Sequence, residues 1–470
     1  MWNEYAVAAA TGIAAVVIAT GLIQTLFYIV QLAFAGLALA SRPPIARASL
    51  LWRRYADQAP PIAVLAPAYN EQVTIIESVT SLLALHYPQF EVIVINDGSN
   101  DATLITVIDH FGLERVERFY HASTEHQPIR GLYASPRFPR LLLVDKQNGG
   151  KSDALNAGIN VARAPLFCSI DADSLLESDA LLRAVRPFIE EPARTIAVGG
   201  TIRIANGSRI AAGRVLEVKL PRTFLGLVQI IEYLRAFLMA RLALSQMQVL
   251  TVISGAFGLF RRQLVLEVGG YSHGTVGEDM ELVIKLHRLL RDRKQDYRIE
   301  FIPEPVCWTE APDSLSVLGR QRARWQRGAL ETFFKHRDML FNPSYGRIGF
   351  LGFGQILIVD LLGPLVEVIG YLLVPLLWAV GLLAADYLFA FLAITFTFGV
   401  FVSVATLILE EVELRRFPNP SDLAILTLVS IVENFGYRQL SNLWRVRGFW
   451  QFLRKKQGWG QMTRKGFQGV

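Results

Sequence analysis

From Tyr5 to Ser41 the chain carries no charged side chain, a run longer than the roughly 20 residues one helix needs to cross a bilayer. It is too short for a comfortable hairpin and predicts a single spanning helix. No basic stretch precedes it, and it exceeds the roughly 7 to 15 apolar residues at the centre of a secretory signal. Arg42, Arg47, Arg53 and Arg54 follow at once. Positive charge concentrates on cytoplasmic flanks, so the next domain is expected inside the cell.

The pattern changes at Pro60-Pro61. Ile62 to Ala66 reads as a short buried strand ending in Pro67-Ala68-Tyr69-Asn70-Glu71, and a helical period runs from Val73 to Leu85. A second strand, Glu91 to Ile95, ends in Asn96-Asp97-Gly98-Ser99-Asn100-Asp101. Strand, polar turn, helix, strand, polar turn is the order of an open parallel sheet. Ligands of such sheets bind beyond the carboxyl ends of the strands, where both turns lie. Residues 121–140 show little period and read as a surface excursion. Leu141 to Val144 and Leu166 to Ile170 are further strands. Leu225 to Leu244 is an amphipathic helical pattern, Ile253 to Gly258 a wall of small residues, and a helix is expected from Met280 to Leu290.

From Phe350 to Leu409 the chain is largely apolar again. The pattern predicts a helix broken at Gly363-Pro364 and a second span from about Tyr387 to Leu409. Leu423 to Val432 reads as a span or an interfacial helix. If the tail is to reach the catalytic side, the crossings after the soluble domain must be even in number, which favours the interfacial reading. Asp360 and Glu367, seven residues apart, share a helical face unless the break rotates it. Carboxylates at membrane depth face protein or water. These two either line a polar conduit, pair with arginines of the Gln321 helix, or lie in the headgroup layer.

At 470 residues and 52% hydrophobic, the chain has room for more than one domain and is too apolar to be wholly soluble. The net charge of +6 is mostly arginine beside apolar segments and does not read as nucleic-acid binding. Cys168 and Cys307 make no disulfide framework. Cys168 falls inside a core strand, where a thiol acts as a small hydrophobe.

Candidate chemistry lies in the turns. Asp145 to Ser152 contains Gly-Lys-Ser, but the first glycine of a nucleoside-triphosphate P-loop would fall at Asp145, so the ATPase reading fails. Lys151, entering a helix after two glycines, either approaches an anion with help from free backbone N–H groups or caps a turn at the surface. Asp171 and Asp173, at i and i+2, either hold a hard divalent cation that bridges phosphates or cap the helix from Glu177 onward. Gly277-Glu278-Asp279 opens a helix; a carboxylate there is a cap or a general base within reach of a hydroxyl. If Gln321 to Trp325 is helical, Gln321, Arg324 and Trp325 share one face. Guanidinium pairs phosphate oxygens and an indole stacks on a sugar. The alternative is an interfacial helix with arginines at lipid headgroups and Trp325 in an aromatic belt.

Taken in order, Tyr69-Asn70-Glu71, Asp97-Gly98-Ser99, Gly150-Lys151, Asp171-Ala172-Asp173, Glu278-Asp279 and Gln321-x-x-Arg324-Trp325 resemble the membrane-embedded family 2 glycosyltransferases, among them cellulose, chitin, hyaluronan and poly-N-acetylglucosamine synthases. The likeness runs from Ile62 to about Gly328. It implies an α/β fold, a cytoplasmic GT-A (Rossmann-like) domain flanked by transmembrane and interfacial helices, and inverting transfer from a UDP-sugar. By that resemblance Tyr69, Glu71 and Asp97 would hold the uridine, and Lys151, Asp171 and Arg324 the rest of the nucleotide. Asp173, with Asp171, would ligate Mg2+ or Mn2+. Asp279, beside Glu278, would take the acceptor proton, and Trp325 with Gln321 would hold the acceptor sugar. Trp459-Gly460-Gln461-Met462-Thr463-Arg464 resembles the gating segment of hyaluronan and chitin synthases, with Gln461-Met462 departing from the usual small residues; it reads otherwise as a basic tail on the membrane surface.

The same resemblance divides the chain into a transmembrane helix at 1–41, a catalytic domain at 42–311, interfacial helices at 312–346, a transmembrane and interfacial region at 347–443 and a basic tail at 444–470. The expected partners are a UDP-sugar donor, a glycan or lipid-linked acceptor, the bilayer and subunits of a secretion complex, with no nucleic acid. The expected location is a bacterial inner membrane. A processive synthase exporting its polymer, a single transfer to a lipid, and an inactive scaffold are three readings; the presence of Asp173 and Asp279 speaks against the last.

Overall fold

The computed structural model describes residues 2–41, 48–171, 174–211, 213–414 and 419–455. They form two compact units: residues 48–222 with 248–311, and residues 2–41 with 223–247 and 312–455.

The first unit is built on strands β1 (Ile62–Ala68), β2 (Phe90–Asp97), β3 (Glu114–Val116), β4 (Ile129–Ala134), β5 (Leu141–Lys146), β6 (Leu166–Ile170), β7 (Leu175–Leu176), β8 (Thr195–Ile204), β9 (Arg209–Ala211), β10 (Arg214–Glu217), β11 (Phe257–Arg261) and β12 (Arg298–Thr309). Ten of them form one mixed sheet in the order β3-β4-β5-β2-β1-β6-β11-β8-β12-β7, while β9 and β10 pair separately. The middle strands β5, β2, β1 and β6 are parallel. Residues 62–66 and 166–170 are buried throughout, as strands covered on both faces must be. Chain order reverses between β1 and β6, and a crevice opens at the carboxyl ends of strands at such a reversal. The helix Lys151–Val161 packs close to this sheet because Gly158 is small: a Cβ there would stand 3.1 Å from Ile95 Cδ1 and 3.2 Å from Leu65 Cδ2.

Residues 121–140 are not all surface excursion, because β4 lies among them and pairs antiparallel with β5. Its burial alternates only weakly, which hid the strand from a period count. Both cysteines are buried thiols.

In the second unit, the helices Glu4–Ser41, Ile348–Ala379 and Ala385–Val412 are long and apolar enough to cross a membrane. Pro420–Val432, at 13 residues, is shorter than the roughly 20 a crossing takes. The expected break at Gly363-Pro364 is absent: the helix runs through. A π-helical stretch, Ile356–Leu362, precedes Gly363–Ala379, which carries Pro364 in its first turn. There proline's missing N–H and its ring cause least disruption, and the wider turn before it absorbs the mismatch. Ala14, Val17, Val374, Leu383 and Phe391 form one apolar cluster joining the three long helices.

Asp360 and Glu367 do share a face, but their arginines come from the helix Tyr437–Leu453 and not from the Gln321 helix. Glu367 accepts from Arg438 at 3.1 Å, Asn442 at 2.8 Å and Tyr371 at 2.9 Å. Arg445 stands 3.7 Å from the Asp360 carboxylate and donates to its carbonyl at 2.8 Å. Two acids seven residues apart meet two arginines seven apart in reverse order, as antiparallel helices require. From the Gln321 helix, the Gln326 amide reaches the Asp360 carbonyl at 2.7 Å.

Candidate active site

The turns after β1 and β2 are laced together. Asn70 adopts φ +56°, a left-handed conformation asparagine tolerates. Its N–H donates to Ser99 Oγ at 3.0 Å, and its side-chain oxygen accepts from the Asn100 N–H at 2.9 Å. The Glu71 N–H donates to Thr103 Oγ1 at 2.8 Å, and Thr74 Oγ1 donates to the Glu71 carboxylate at 2.8 Å. Tyr69 takes a 3.3 Å bond from Asn100 at its hydroxyl and is 47% exposed, its ring lying open at the carboxyl edge of the sheet.

Asp97, at the end of β2, is buried. One carboxylate oxygen accepts from Lys146 Nζ at 2.6 Å and from the Gly149 N–H at 3.0 Å; the other accepts from the Gly150 N–H at 2.7 Å and from Asn148 Nδ2 at 3.2 Å. The Gly149 and Gly150 N–H groups are therefore spent on Asp97 and are not among the backbone donors left for an anion. Gly98 must be glycine: its φ is +66°, and a Cβ would lie 2.6 Å from the Asn148 nitrogen.

Lys151 opens its helix and reaches the Asp171 carboxylate and, at 3.4 Å, the Gly255 carbonyl. Burial pulls the ammonium's pKa down, yet Asp171, Glu278 and Asp279 together hold it above its ordinary value. Asp279 uses one oxygen to accept from the Gly255 N–H at 3.1 Å and the other from the Met280 N–H at 2.8 Å. Gly255 is the hinge of this cluster, because a Cβ there would stand 2.8 Å from Lys151 Nζ. Farther along the same helix, His287 meets the Leu250 carbonyl at 2.8 Å and the Tyr297 hydroxyl at 2.7 Å. Burial lowers this imidazole to about 4, so it is neutral and ties the helix to the wall that Asp279 also grips. Lys151, Asp171, Gly255, Glu278 and Asp279 thus converge.

Glu278 is 4% exposed, and its Oε2 has no hydrogen-bond partner among the described residues. Burial raises its pKa from 4.5 to about 7, with Lys151 opposing and Asp279 adding to the rise. The folded state therefore favours the protonated acid. That contribution to stability is complete below about pH 4.5 and is lost as pH climbs through about 7. Glu278→Gln, neutral at every pH, is expected to lack this part of the fall in unfolding midpoint between about pH 5 and pH 8. Thermal melts across that range check it, and parallel curves for both proteins would refute the assignment.

Asp171, 31% exposed at its side chain, offers the hard oxygen a divalent cation takes and fits such an ion as one ligand. Asp173 lies outside the described residues, as do Trp459 and Arg464. Among the described residues no three His, Cys, Asp or Glu side chains gather to hold a metal.

Gln321, Arg324 and Trp325 belong to the other unit, on the helix Leu315–Lys335, capped by Ser314 Oγ accepting from the Val317 N–H at 3.4 Å. Their spacing places them on one face, as expected. Trp325 is 45% exposed and lies against the Arg322 guanidinium, 4.4 Å from ring centre. Arg322 is held by Glu232 at 2.6 Å. Sequence reasoning passed over Arg322, Lys146 and Asp153, which contact Glu232, Asp97 and Gln127 at 90, 49 and 26 residues' separation.

Residues 63–269 match the family described as Glycosyl transferase family 2. Over 288 residues the chain is 30% identical to a poly-beta-1,6-N-acetyl-D-glucosamine synthase of Staphylococcus epidermidis, covering 61% of this chain and 59% of that protein. A protein of the same name from Staphylococcus aureus strain COL is 30% identical over 280 residues, 59% of this chain and 57% of its own. The chain thus spans a little under three fifths of the length of these curated relatives. In fold it is similar to a mannosyltransferase from Pyrobaculum calidifontis solved in complex with GDP-Man and Mn2+, with TM-score 0.56 and 18% identity over 95% of this chain and 99% of that one. The α/β sheet is the expected GT-A fold.

Proposed function

We propose that this chain, which carries a glycosyl transferase family 2 domain over residues 63–269, transfers N-acetylhexosamine from a UDP-sugar to the end of a growing polysaccharide with inversion. The observation that carries this reading is the convergence of Lys151, Asp171, Glu278 and Asp279 around Gly255. The names of the relatives support N-acetylglucosamine as the sugar.

In this mechanism Tyr69 stacks on the base and Glu71 borders it, while Asp97, expected to hold the uridine, acts from beneath by gripping the Gly149-Gly150 turn. Lys151 neutralises the diphosphate. The acceptor hydroxyl attacks the anomeric carbon, Asp279 takes its proton, and the bond from that carbon to the diphosphate oxygen breaks, releasing UDP. Asp279 later returns the proton to solvent. Asp171, with Asp173, would hold Mg2+ or Mn2+, which when bound offsets negative charge on the diphosphate. Arg324 would assist at the diphosphate, Trp325 and Gln321 would hold the acceptor sugar, and Trp459 and Arg464 would cover the nucleotide. The three apolar helices support residence in a membrane, with the catalytic unit facing the cytoplasm of a bacterial cell.

The test is UDP release by protein in nanodiscs, offered UDP-N-acetylglucosamine, UDP-glucose or GDP-mannose separately, each with Mg2+ or Mn2+. Release from UDP-N-acetylglucosamine alone, with a long product, is the expected result. A single sugar on lipid would favour one-step transfer instead, and no release from any donor would sink the reading.

A further inference from the structure

We propose that Lys146 and Asp153 are positioning residues for nucleotide binding, forming with Asp97 a buried charge triad that fixes the turn presenting Lys151; this rests on the functional reading above. Lys146 sits at the end of β5 with its side chain fully buried, and its ammonium contacts the carboxylates of both Asp97 and Asp153, each nearly as deeply buried. It also donates to the Gln147 carbonyl at 2.6 Å. Three charges taken out of water are costly, and apolar side chains of the same volume would stabilise such a site as well or better. Stability alone therefore does not explain them. Their geometry does.

The ammonium and its two carboxylates together tie down separate pieces of chain. Asp97 ends β2 and grips the N–H groups of Gly149 and Gly150. Asp153 stands in the first turn of the Lys151 helix, and both its oxygens accept from the Gln127 N–H, at 3.1 Å and 2.9 Å. His273 Nδ1 lies 3.8 Å from Asp153 on the more open side. The turn between Lys146 and Lys151 has no slack: Gly150 is at φ +88°, and a Cβ on Gly149 would collide with the Asp153 side chain. Lys151 follows directly, and its ammonium is aimed at Asp171. Removing Lys146 leaves two buried carboxylates repelling each other on either side of the turn, so the turn and Lys151 shift together.

The experiment is calorimetric titration of the full chain in nanodiscs with UDP, beside steady-state kinetics and thermal melts. Lys146→Met is expected to weaken UDP binding tenfold or more and to raise the donor KM in step, with kcat at saturating donor changed less than about threefold, the split that uniform loss of substrate binding produces. Lys146→Met/Asp153→Asn, which restores the net charge of the site, is expected to recover most of the affinity. Should Lys146→Met fail to fold, Asp153→Asn alone, which preserves shape and one acceptor, is expected to weaken UDP binding about threefold. A lower melting temperature with unchanged UDP affinity would show a purely structural triad and overturn the inference, as would a fall in kcat at constant KM. Wild-type protein that binds no UDP overturns the functional reading, and this inference with it.

Discussion

Asp279→Asn is expected to lower sugar transfer by roughly 10²- to 10⁴-fold, the usual contribution of a general base, while UDP still binds. The geometry makes the substitution clean in one respect and harsh in another. Asparagine keeps the shape, so the helix start at Glu278 and the wall at Gly255 remain in register. Yet both carboxylate oxygens of Asp279 accept from backbone, one from Gly255 and one from Met280. An amide has one acceptor and one donor group, so one of those N–H groups would face another N–H. The side chain is expected to turn its oxygen toward one of them and lose the other bond. Turnover measured by UDP release, with calorimetric UDP affinity as the control, checks this. Turnover near the wild-type value in Asp279→Asn would remove Asp279 from the role of base.

Lys151→Met is expected to have the second large effect, on both binding and stability. The ammonium is the cation shared by Asp171, Glu278 and Asp279. Without it three carboxylates are left close together, and the Glu278 acid, already raised to about 7 with Lys151 opposing the rise, is pushed higher still. Removing one partner of a buried ion pair typically costs about 3–5 kcal/mol. Because the Lys151 and Asp171 side chains are 19% and 31% exposed, the lower end of that range applies. The sign in pH follows from linkage. A carboxyl whose folded pKa lies above its unfolded one loses stability as pH rises, so the variant's melting temperature should drop more steeply than wild type between about pH 6 and pH 8. Donor KM should rise at least about tenfold, since the charge facing the diphosphate is gone. A variant with normal KM and a parallel pH profile would place Lys151 outside the site.

Much of the sheet was legible along the chain. Ile62–Ala66, Val92–Ile95 and Leu166–Cys168 are apolar runs because their strands are covered on both faces, and polar turns follow them where the sheet ends. β4 was not legible: an edge-side strand with half-buried residues carries no strong period. The continuous helix through Pro364 was missed for a different reason. Proline's local cost is visible in sequence, but the π-helical turn that absorbs it is chosen by the surrounding helices.

The candidate site divides the same way. Residue types and their order along the chain determined that carboxylates and a lysine stand at strand and helix ends, because chemistry of this kind needs charge at the carboxyl edge of a parallel sheet. They also determined the long apolar runs, since crossing a bilayer takes length and hydropathy, and among the described residues three helices have both. Only the tertiary structure decided which charges meet. Lys146 touches Asp97, 49 residues away; Gly255 meets Asp279 and Lys151, the latter 104 residues away; Asp360 and Glu367 take their arginines from the helix Tyr437–Leu453. A charge's partner is fixed by distance and burial in the folded chain, where removal from water makes pairing obligatory, and no local pattern encodes that distance.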